Sequence, residues 1–343
     1  MTERGSTWFE RVPKVELHLH LEGAIPLDAT WALLQKYGGD PSVPDEAALR
    51  RRFVFRDFPH FIETWIWRNG FMREYSDFTL VAEAAARDMA RQNIRYVEAF
   101  VSPTDFVRHG LGTQQLIAAI RAGLRRVPGI DVALVVDLVR DTGPDRAART
   151  LAEVNEVRDQ GVIGIGIGGS EQTFPPEPFA AVYAEARRLG LHTSAHAGEA
   201  SGAASVWGAI RALHAERIGH ATRAEEDPAL LDWLAESQIP LEMCPLSNVR
   251  TRVVSAIEQH PVRRYFERGL LVTVNSDDPK LFGNSLAEEY TVLTERLAFS
   301  RDDIRTLILN AIHASWLPPV RKKELEAQFR GESVWSESAN SGT

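Results

Sequence analysis

Two histidines stand two positions apart, at His18 and His20, in a stretch of alternating apolar and polar residues, Val15–Glu22. Alternation with a period of two predicts a strand, and residues two apart on a strand share a face. His18 and His20 are therefore expected to point the same way. Neutral imidazoles are common zinc ligands, and a catalytic zinc takes about three or four protein groups plus an open position. The spacing alone fits a metal site and an edge strand with outward polar residues equally well.

Further side chains of the same chemistry follow other predicted strands. Histidines and carboxylates stand at the ends of the first, fifth, sixth and eighth of them: His18, His20, His196, Glu199, His220, Asp277 and Asp278. In a parallel barrel the carboxyl ends of all strands meet at one face. We therefore expect these residues to converge, which predicts a metal site with acid–base groups beside it.

The elements that must position these residues are strands alternating with helices. Eight short apolar runs predict strands over Val15–His20, Tyr96–Val101, Val132–Asp137, Val162–Ile167, His192–His196, Ile218–His220, Leu241–Cys244 and Leu271–Ser276. Alternation with helical patterns implies parallel pairing, and eight units favour an α/β protein with a closed (β/α)₈ TIM barrel. An open doubly wound sheet is the alternative. The glycine-rich run "GVIGIGIGGSE" is a weak dinucleotide signal, because its glycines lie within the strand.

We assign residues 1–330 to a single barrel domain. About 70 residues separate its first two strands, more than a crossover needs. Residues of about 50–75 form an aromatic, partly cationic insertion after the first strand, which we interpret as a helical lid over the barrel mouth. An extra helical layer is the alternative. Residues 331–343 are small and polar, and we expect a flexible tail.

Composition limits the partners. The net charge of −8 argues against a nucleic acid partner. Cys244 is the one cysteine, which excludes an internal disulfide and a cysteine-rich zinc site. No apolar run approaches membrane-spanning length and the first residues do not form a signal peptide, so we expect a cytoplasmic protein with no membrane partner. The sequence does not predict the oligomeric state.

Four motifs carry a family resemblance. "PKVELHLHLEGA", "SAHAGE", "RIGHA" and "NSDDP" resemble those of adenosine deaminases and their relatives in the amidohydrolase superfamily, in order and spacing over roughly residues 10–320. The resemblance implies one zinc ion per chain, held by His18, His20, His196 and Asp277. It also implies Glu199 as proton donor, His220 beside the activated water, and Asp278 and Gly169 in contact with a purine.

The chemistry of these residue types agrees with those roles. Zinc lowers the pKa of a bound water enough to supply hydroxide near neutral pH, which would attack C6 of a 6-aminopurine. Asp277 can hold both zinc and water, and His220 can take or orient the water proton. Glu199 can protonate N1 if burial keeps it protonated. Because the fourth strand ends in Gly168-Gly169-Ser170 rather than in a bridging ligand, we expect one zinc.

The substrate is predicted less closely than the reaction. We expect a small-molecule purine, most simply adenosine or deoxyadenosine, deaminated to inosine or deoxyinosine plus ammonia. We place His20 and Glu22 on the substrate side, but adenosine-specific members carry aspartate where this chain has Glu22. They also carry an acidic residue where it has Ser170. The alternatives are therefore 6-amino-6-deoxyfutalosine deaminase, adenine deaminase, another mononuclear amidohydrolase acting on a pyrimidine or pterin, and a non-catalytic purine-binding barrel.

Overall fold

The computed structural model describes residues 6–337, and within that range eight parallel strands form one sheet in chain order. The strands are β1 (Lys14–His20), β2 (Ile94–Val101), β3 (Asp131–Asp137), β4 (Val162–Gly166), β5 (His192–Ala197), β6 (Arg217–His220), β7 (Leu241–Met243) and β8 (Val272–Val274). Each overlaps a strand predicted from the sequence, and no end differs by more than two residues. The fold is a (β/α)₈ barrel, as predicted, rather than an open sheet.

The barrel closes between its last and first strands at the level of the predicted site. An isolated parallel bridge joins Leu19 to Asp277. Its hydrogen bonds run from the backbone N–H of His20 to the Asp277 carbonyl oxygen, 2.9 Å, and from the Asp277 N–H to the His18 carbonyl oxygen, 3.1 Å. The amide oxygen of Asn275 accepts the His18 N–H as well, at 3.2 Å. Three candidate metal ligands, His18, His20 and Asp277, therefore lie at the same level of the barrel, where it closes.

Helices fill the connections between the strands. Within residues 6–337 they are α1 (Trp8–Arg11), α2 (Leu27–Lys36), α3 (Glu46–Arg52), α4 (Phe58–Asn69), α5 (Tyr75–Arg91), α6 (Thr113–Leu124), α7 (Gly143–Asn155), α8 (Ala180–Arg188), α9 (Ala203–Arg211), α10 (Pro228–Ser237), α11 (Pro245–Arg250), α12 (Val262–Glu267), α13 (Pro279–Phe282), α14 (Leu286–Leu297), α15 (Arg301–Ala314) and α16 (Pro319–Gly331). Four of them, α2 to α5, lie between β1 and β2. None of the helices in this range is both long and apolar enough to cross a bilayer.

The barrel interior holds a buried ion network below the site. The Arg217 guanidinium on β6 lies 2.5 Å from Glu98 on β2 and 2.5 Å from Glu242 on β7. It also stacks on Trp316, 3.5 Å from the ring centroid. Such interiors are more often filled by branched apolar side chains. Here the paired charges satisfy one another, and Glu242 connects the network to the site above.

The described part of the predicted tail folds back onto the barrel. Part of the predicted flexible tail, residues 331–337, turns into a 3₁₀ helix over Ser333–Ser336, and Val334 and Trp335 are buried. The indole N–H of Trp8 donates to the Val334 carbonyl oxygen at 2.8 Å. Val334 and Trp335 therefore pack this segment against α1, although most of its residues are polar. Residues 338–343 of that prediction lie outside the described residues.

Candidate functional site

The predicted metal ligands converge at the carboxyl end of the barrel. His196 Nε2 lies 3.0 Å from His18 Nε2 and 3.2 Å from His20 Nε2. Asp277 Oδ1 lies 3.5 Å from the Nε2 atoms of His18 and His20. An ion with four tetrahedral bonds of about 2.1 Å holds its ligand atoms roughly 3.4 Å apart. These four side chains, called the His/Asp cluster below, therefore have the spacing of one ligand shell. His220 offers a further nitrogen within 4.8 Å of atoms of His18, His196 and Asp277.

Buried neighbours orient two members of the His/Asp cluster. His18 Nδ1 lies 2.9 Å from Glu242 Oε2, so its N–H donates to the carboxylate and its Nε2 lone pair faces the cluster. A side chain at Gly219 would approach His18 Cε1 to 2.8 Å, which is why β6 carries glycine there. The Ser247 hydroxyl donates to Asp277 Oδ2 at 2.6 Å, which leaves Oδ1 directed at the histidines.

Glu199 and His220 lie beside the cluster, as the sequence predicted. Glu199 Oε2 is 3.6 Å from His220 Nε2, and Glu199 is 6 % exposed. Burial raises the pKa of Glu199 well above its ordinary value, and the charge of Asp277 adds to the effect. Burial lowers the pKa of His220 to about 3. His220 and Asp277 have φ values of +62° and +63°, a strained backbone conformation that aims both side chains inward.

Glu171, to which no role was assigned from the sequence, holds the loop that carries Glu199. Its carboxylate accepts four consecutive backbone N–H groups, from Gly198 at 2.6 Å, Glu199 at 3.1 Å, Ala200 at 2.7 Å and Ser201 at 3.0 Å. Successive amides of this kind form an anion-binding nest. The sequence feature that could have indicated this role is an acidic residue just after β4, close to Gly168 and Gly169.

The cluster opens into a cavity of about 230 Å³ with α4 as its opposite wall. Asp57 caps α4 by accepting the His60 N–H at 2.9 Å. The apolar residues of α4 recur at helical spacing and line the cavity: Phe58, Phe61, Ile62, Trp65 and Ile66. The Trp65 indole N–H donates to Asp105 at 2.9 Å, and its ring lies edge-on to His20 with centroids 5.8 Å apart. The predicted insertion thus covers the site; its motion as a lid stays a prediction.

Three predicted substrate contacts, His20, Gly169 and Asp278, line this cavity. Asp278 Oδ1 is buried and has no hydrogen-bond partner among residues 6–337. Burial raises the pKa of Asp278 well above its ordinary value, and Asp277 adds to the shift. Gly169 has a φ of +106°, and a side chain there would approach Asp141 Oδ2 to 2.1 Å. The cavity therefore offers an unsatisfied acid and an open backbone edge to a ligand.

Glu22 was predicted to contact the substrate, but in the structure it lies behind the cavity wall. In the described chain it is not part of the cavity lining. Its Oε1 accepts the Ser102 N–H at 2.8 Å, and Ser102 is the residue that faces the cavity. Burial raises the pKa of Glu22 to about 7. The extra methylene of glutamate lets the carboxyl group bond to the β2 end instead of reaching into the cavity.

Comparison with known proteins agrees with this geometry. The family model described as adenosine deaminase matches residues 13–330. An adenine deaminase from Bordetella avium is 38% identical over 308 residues, covering 89% of this chain and 97% of the relative. An aminodeoxyfutalosine deaminase from Streptomyces avermitilis is 35% identical over 324 residues, covering 93% and 90%. The relatives thus point away from adenosine, the substrate first expected, and toward the two named alternatives.

Solved structures give the same picture. The crystal structure of an adenine deaminase from Arthrobacter aurescens superposes with a TM-score of 0.88 at 30% identity, covering 93% of this chain and 98% of that one. An amidohydrolase from Burkholderia ambifaria, solved with bound Zn, has a TM-score of 0.86 at 28% identity, covering 95% and 94%. A structural neighbour of this fold was thus solved with zinc bound.

Proposed function

This chain belongs to the adenosine deaminase family and is a hydrolytic deaminase, and we propose that it removes the 6-amino group of free adenine with the help of one zinc ion. The observation that carries the proposal is the convergence of the His/Asp cluster with a buried carboxyl group, Glu199, at one end of a cavity. Water and adenine would give hypoxanthine and ammonia.

The residues present fit a zinc ion. The Nε2 atoms of His18 and His20 lie within 3.2 Å of His196 Nε2, and Asp277 adds an oxygen 3.5 Å from those of His18 and His20. Nitrogen and carboxylate oxygen are the ligands that zinc accepts in catalytic sites. Bound there, zinc would supply the Lewis acidity that makes water nucleophilic near neutral pH. These four residues would hold it.

Glu199 and His220 would handle the protons. As water adds to C6, negative charge builds on N1, which needs a proton. Glu199 is suited to give that proton because burial raises its pKa well above its ordinary value, which favours the protonated form. His220, across 3.6 Å from Glu199, would contact the attacking oxygen. One proton of the attacking water leaves with the amino group as ammonia. The other returns to Glu199 as the C6 carbonyl forms, and hypoxanthine keeps the proton on N1, so that the atoms balance.

The cavity lining suits an uncharged base. Within the part of the chain that the structure describes, the lining has six carboxyl groups and no lysine or arginine. Burial raises the pKa of Asp137 among them to about 6. Asp278, whose Oδ1 lacks a partner in residues 6–337, would meet the imidazole edge. Free adenine offers a ring N–H there, which a nucleoside lacks at the glycosylated nitrogen.

A substrate panel tests the proposal. The zinc-loaded protein is assayed for ammonia release from adenine, adenosine, deoxyadenosine, AMP and aminodeoxyfutalosine. We expect kcat/KM for adenine to exceed that for every nucleoside, by about tenfold or more, since a site built for one polar edge rejects analogues lacking it. A larger kcat/KM for adenosine would overturn the substrate assignment, and no ammonia from any 6-aminopurine would overturn the function.

A second candidate substrate is aminodeoxyfutalosine. One relative carries that name, and a wider cleft of about 620 Å³ adjoins the cavity, sharing Phe58, Glu199 and Thr251 with it. Arg223 and Arg252 line this outer cleft, where they could meet an acidic substituent on a larger substrate. The highest kcat/KM in the panel would then belong to aminodeoxyfutalosine.

Cytoplasmic placement stays a prediction of the sequence.

A further inference from the structure

A chain of buried hydrogen bonds leads from the α12 backbone to His220. It begins at Val262, whose backbone N–H lies 3.2 Å from His260 Nδ1. A backbone amide can only donate, so His260 Nδ1 accepts. A neutral imidazole carries one proton, and in His260 that proton must then sit on Nε2. Burial lowers the pKa of His260 to about 3, which keeps the ring neutral.

The second link fixes the orientation of the Asn248 amide. His260 Nε2 lies 3.2 Å from Asn248 Oδ1, and as a donor it requires the amide oxygen at that position. The Thr222 hydroxyl lies 2.9 Å from the same oxygen. The NH₂ group of Asn248 must therefore face the opposite way. Asn248 and His260 are 0 % and 1 % exposed, so water does not compete for these bonds.

The third link reaches the candidate site. Asn248 Nδ2 lies 3.2 Å from His220 Nδ1 and 3.5 Å from Glu199 Oε1. Its two N–H groups thus have two acceptors. His220 Nδ1 accepts, which leaves the single proton of the neutral ring on Nε2. That nitrogen lies 3.6 Å from Glu199 Oε2, and the His220 ring is next to the His18 and His196 rings, with centroids 5.0 and 5.1 Å away.

We propose that the Val262 amide sets the tautomer of His220 through His260 and Asn248, so that His220 presents an N–H donor to the reacting atoms. His260 and Asn248 are positioning residues. A nitrogen that carries a proton has no lone pair for a metal, so His220 stays outside the ligand shell and His20 completes it. The N–H is instead suited to stabilise negative charge that develops on the attacking oxygen. That last role rests on the proposed function; the tautomer does not.

Nuclear magnetic resonance of the zinc-loaded, ¹⁵N-histidine-labelled protein reads the tautomer directly. The two nitrogens of His220 are assigned by the signals that a His220→Asn variant lacks. We expect a protonated Nε2 and a bare Nδ1 at neutral pH. A proton on Nδ1 alone, a doubly protonated ring or a metal-bound Nε2 would overturn the proposal. This readout stands even if the protein deaminates none of the panel substrates, which separates its failure from that of the proposed function.

Asn248→Asp tests the relay itself. A carboxylate oxygen in place of the NH₂ group would require His220 Nδ1 to donate, so we expect His220 to gain a proton at Nδ1. With adenine, kcat should fall about 10–100-fold while KM changes about threefold or less, as for other residues that act through a neighbour. A fall in kcat with the wild-type tautomer retained would contradict the relay.

Thr222→Val is the matched control. It removes the hydroxyl that contacts the same Asn248 oxygen, but His260 still requires that oxygen to face it. The His220 nitrogen signals should stay as in the wild type, and kcat should stay within about twofold. A changed tautomer in this variant would show that His260 does not orient the amide and would overturn the proposal. If Asn248→Asp does not fold, the wild-type spectrum still decides between the tautomers.

Discussion

The two walls of the cavity are built differently. One wall, the strand-end wall, consists of residues at the carboxyl ends of β1, β5, β6 and β8: His20, His196, Glu199, His220 and Asp277, backed by His18. The other, the helix wall, consists of the α4 residues Phe58, Phe61, Ile62, Trp65 and Ile66. Every strand-end residue is buried, whereas Ile66 on the helix wall is 49 % exposed. The strand-end wall is part of the barrel, and the helix wall packs over the barrel mouth.

Their polar contacts differ in the same sense. Buried partners orient the strand-end wall: Glu242 for His18, Ser247 for Asp277 and Asn248 for His220. The apolar side chains of the helix wall have one polar link to the site among the described residues, from the Trp65 N–H to Asp105. The nearby Asn69 amide also donates to Asp105, and Arg108 donates to the Ile66 carbonyl oxygen. Catalysis requires atoms held to within a fraction of an ångström, while apolar contact tolerates more variation. The difference predicts that strand-end variants change metal content and kcat, and helix-wall variants change KM.

The largest effect should come from the metal ligands. His196→Ala removes the nitrogen closest to those of His18 and His20. We expect the variant to lose its zinc and its ammonia release to fall to the assay background, because the remaining groups no longer form a ligand shell. Metal analysis and the adenine assay measure both. His313→Ala, on exposed α15, is the control and should retain both; full activity in zinc-free His196→Ala would contradict the account.

The next largest effect should come from the proton donor. Glu199→Gln keeps the shape of the side chain but removes its acidic proton. We expect kcat to fall by about 10²–10⁴-fold with zinc content unchanged. Steady-state assays with metal analysis check this. Normal turnover in the variant would mean that another group protonates the ring.

The pH profile sharpens the same assignment. Burial raises the pKa of Glu199, and the donor works only while protonated. Activity that depends on Glu199 should thus persist above the ordinary range of a glutamate and fall as pH rises through the raised pKa. We expect this alkaline limb in kcat/KM of the wild type and its absence in Glu199→Gln. An identical limb in both proteins would assign it to a different group.

A smaller effect is expected from the carboxylate below the cluster. Glu242→Gln weakens the acceptor of the His18 N–H and leaves Arg217 with one fewer charge partner. Zinc affinity, measured by competition with a chelator, should fall about 10–100-fold, as for other residues that orient metal ligands. Glu289→Gln is the control, since this equally buried group bonds to Leu246 and Asn284 instead. Equal zinc affinity in the two variants would remove the special role of Glu242.

The smallest effect is expected on the helix wall. Trp65→Phe keeps an aromatic ring but removes the N–H that bonds to Asp105. The KM for adenine should rise by about three- to tenfold while kcat changes less than about twofold, since the loss is of binding alone. Trp67→Phe, on the same helix, is the control because its N–H bonds to Asp40. A fall in kcat with unchanged KM in Trp65→Phe would contradict the claim that the helix wall contributes to binding rather than to the chemical step.

The sequence predicted those parts of the molecule that follow from order along the chain. Alternation in β1 and the repeated strand–helix pattern predicted the barrel, and because parallel strand ends must meet, they also predicted the convergence of His18, His196 and Asp277. The lining role of α4 follows from its apolar spacing. The sequence also predicted His220 beside Glu199, since each stands at a strand end.

What the sequence did not predict depends on pairs that are distant along the chain. Nothing local connects Glu171 to the amides of residues 198–201, or His260 to Asn248. A partner for Glu242 could have been predicted from the sequence, because a charged residue in the inward phase of a buried strand needs a partner inside the barrel. Glu22 was misplaced because a motif position gives the direction of a side chain but not the partner, Ser102, that its carboxyl group finds.

Anomalous diffraction at the zinc edge, from crystals of the zinc-loaded protein, tests the central claim most directly. We predict one strong peak per chain, within bonding distance of Nε2 of His18, His20 and His196 and of a carboxylate oxygen of Asp277. No peak at the His/Asp cluster, or a peak bound by other side chains, would contradict the account.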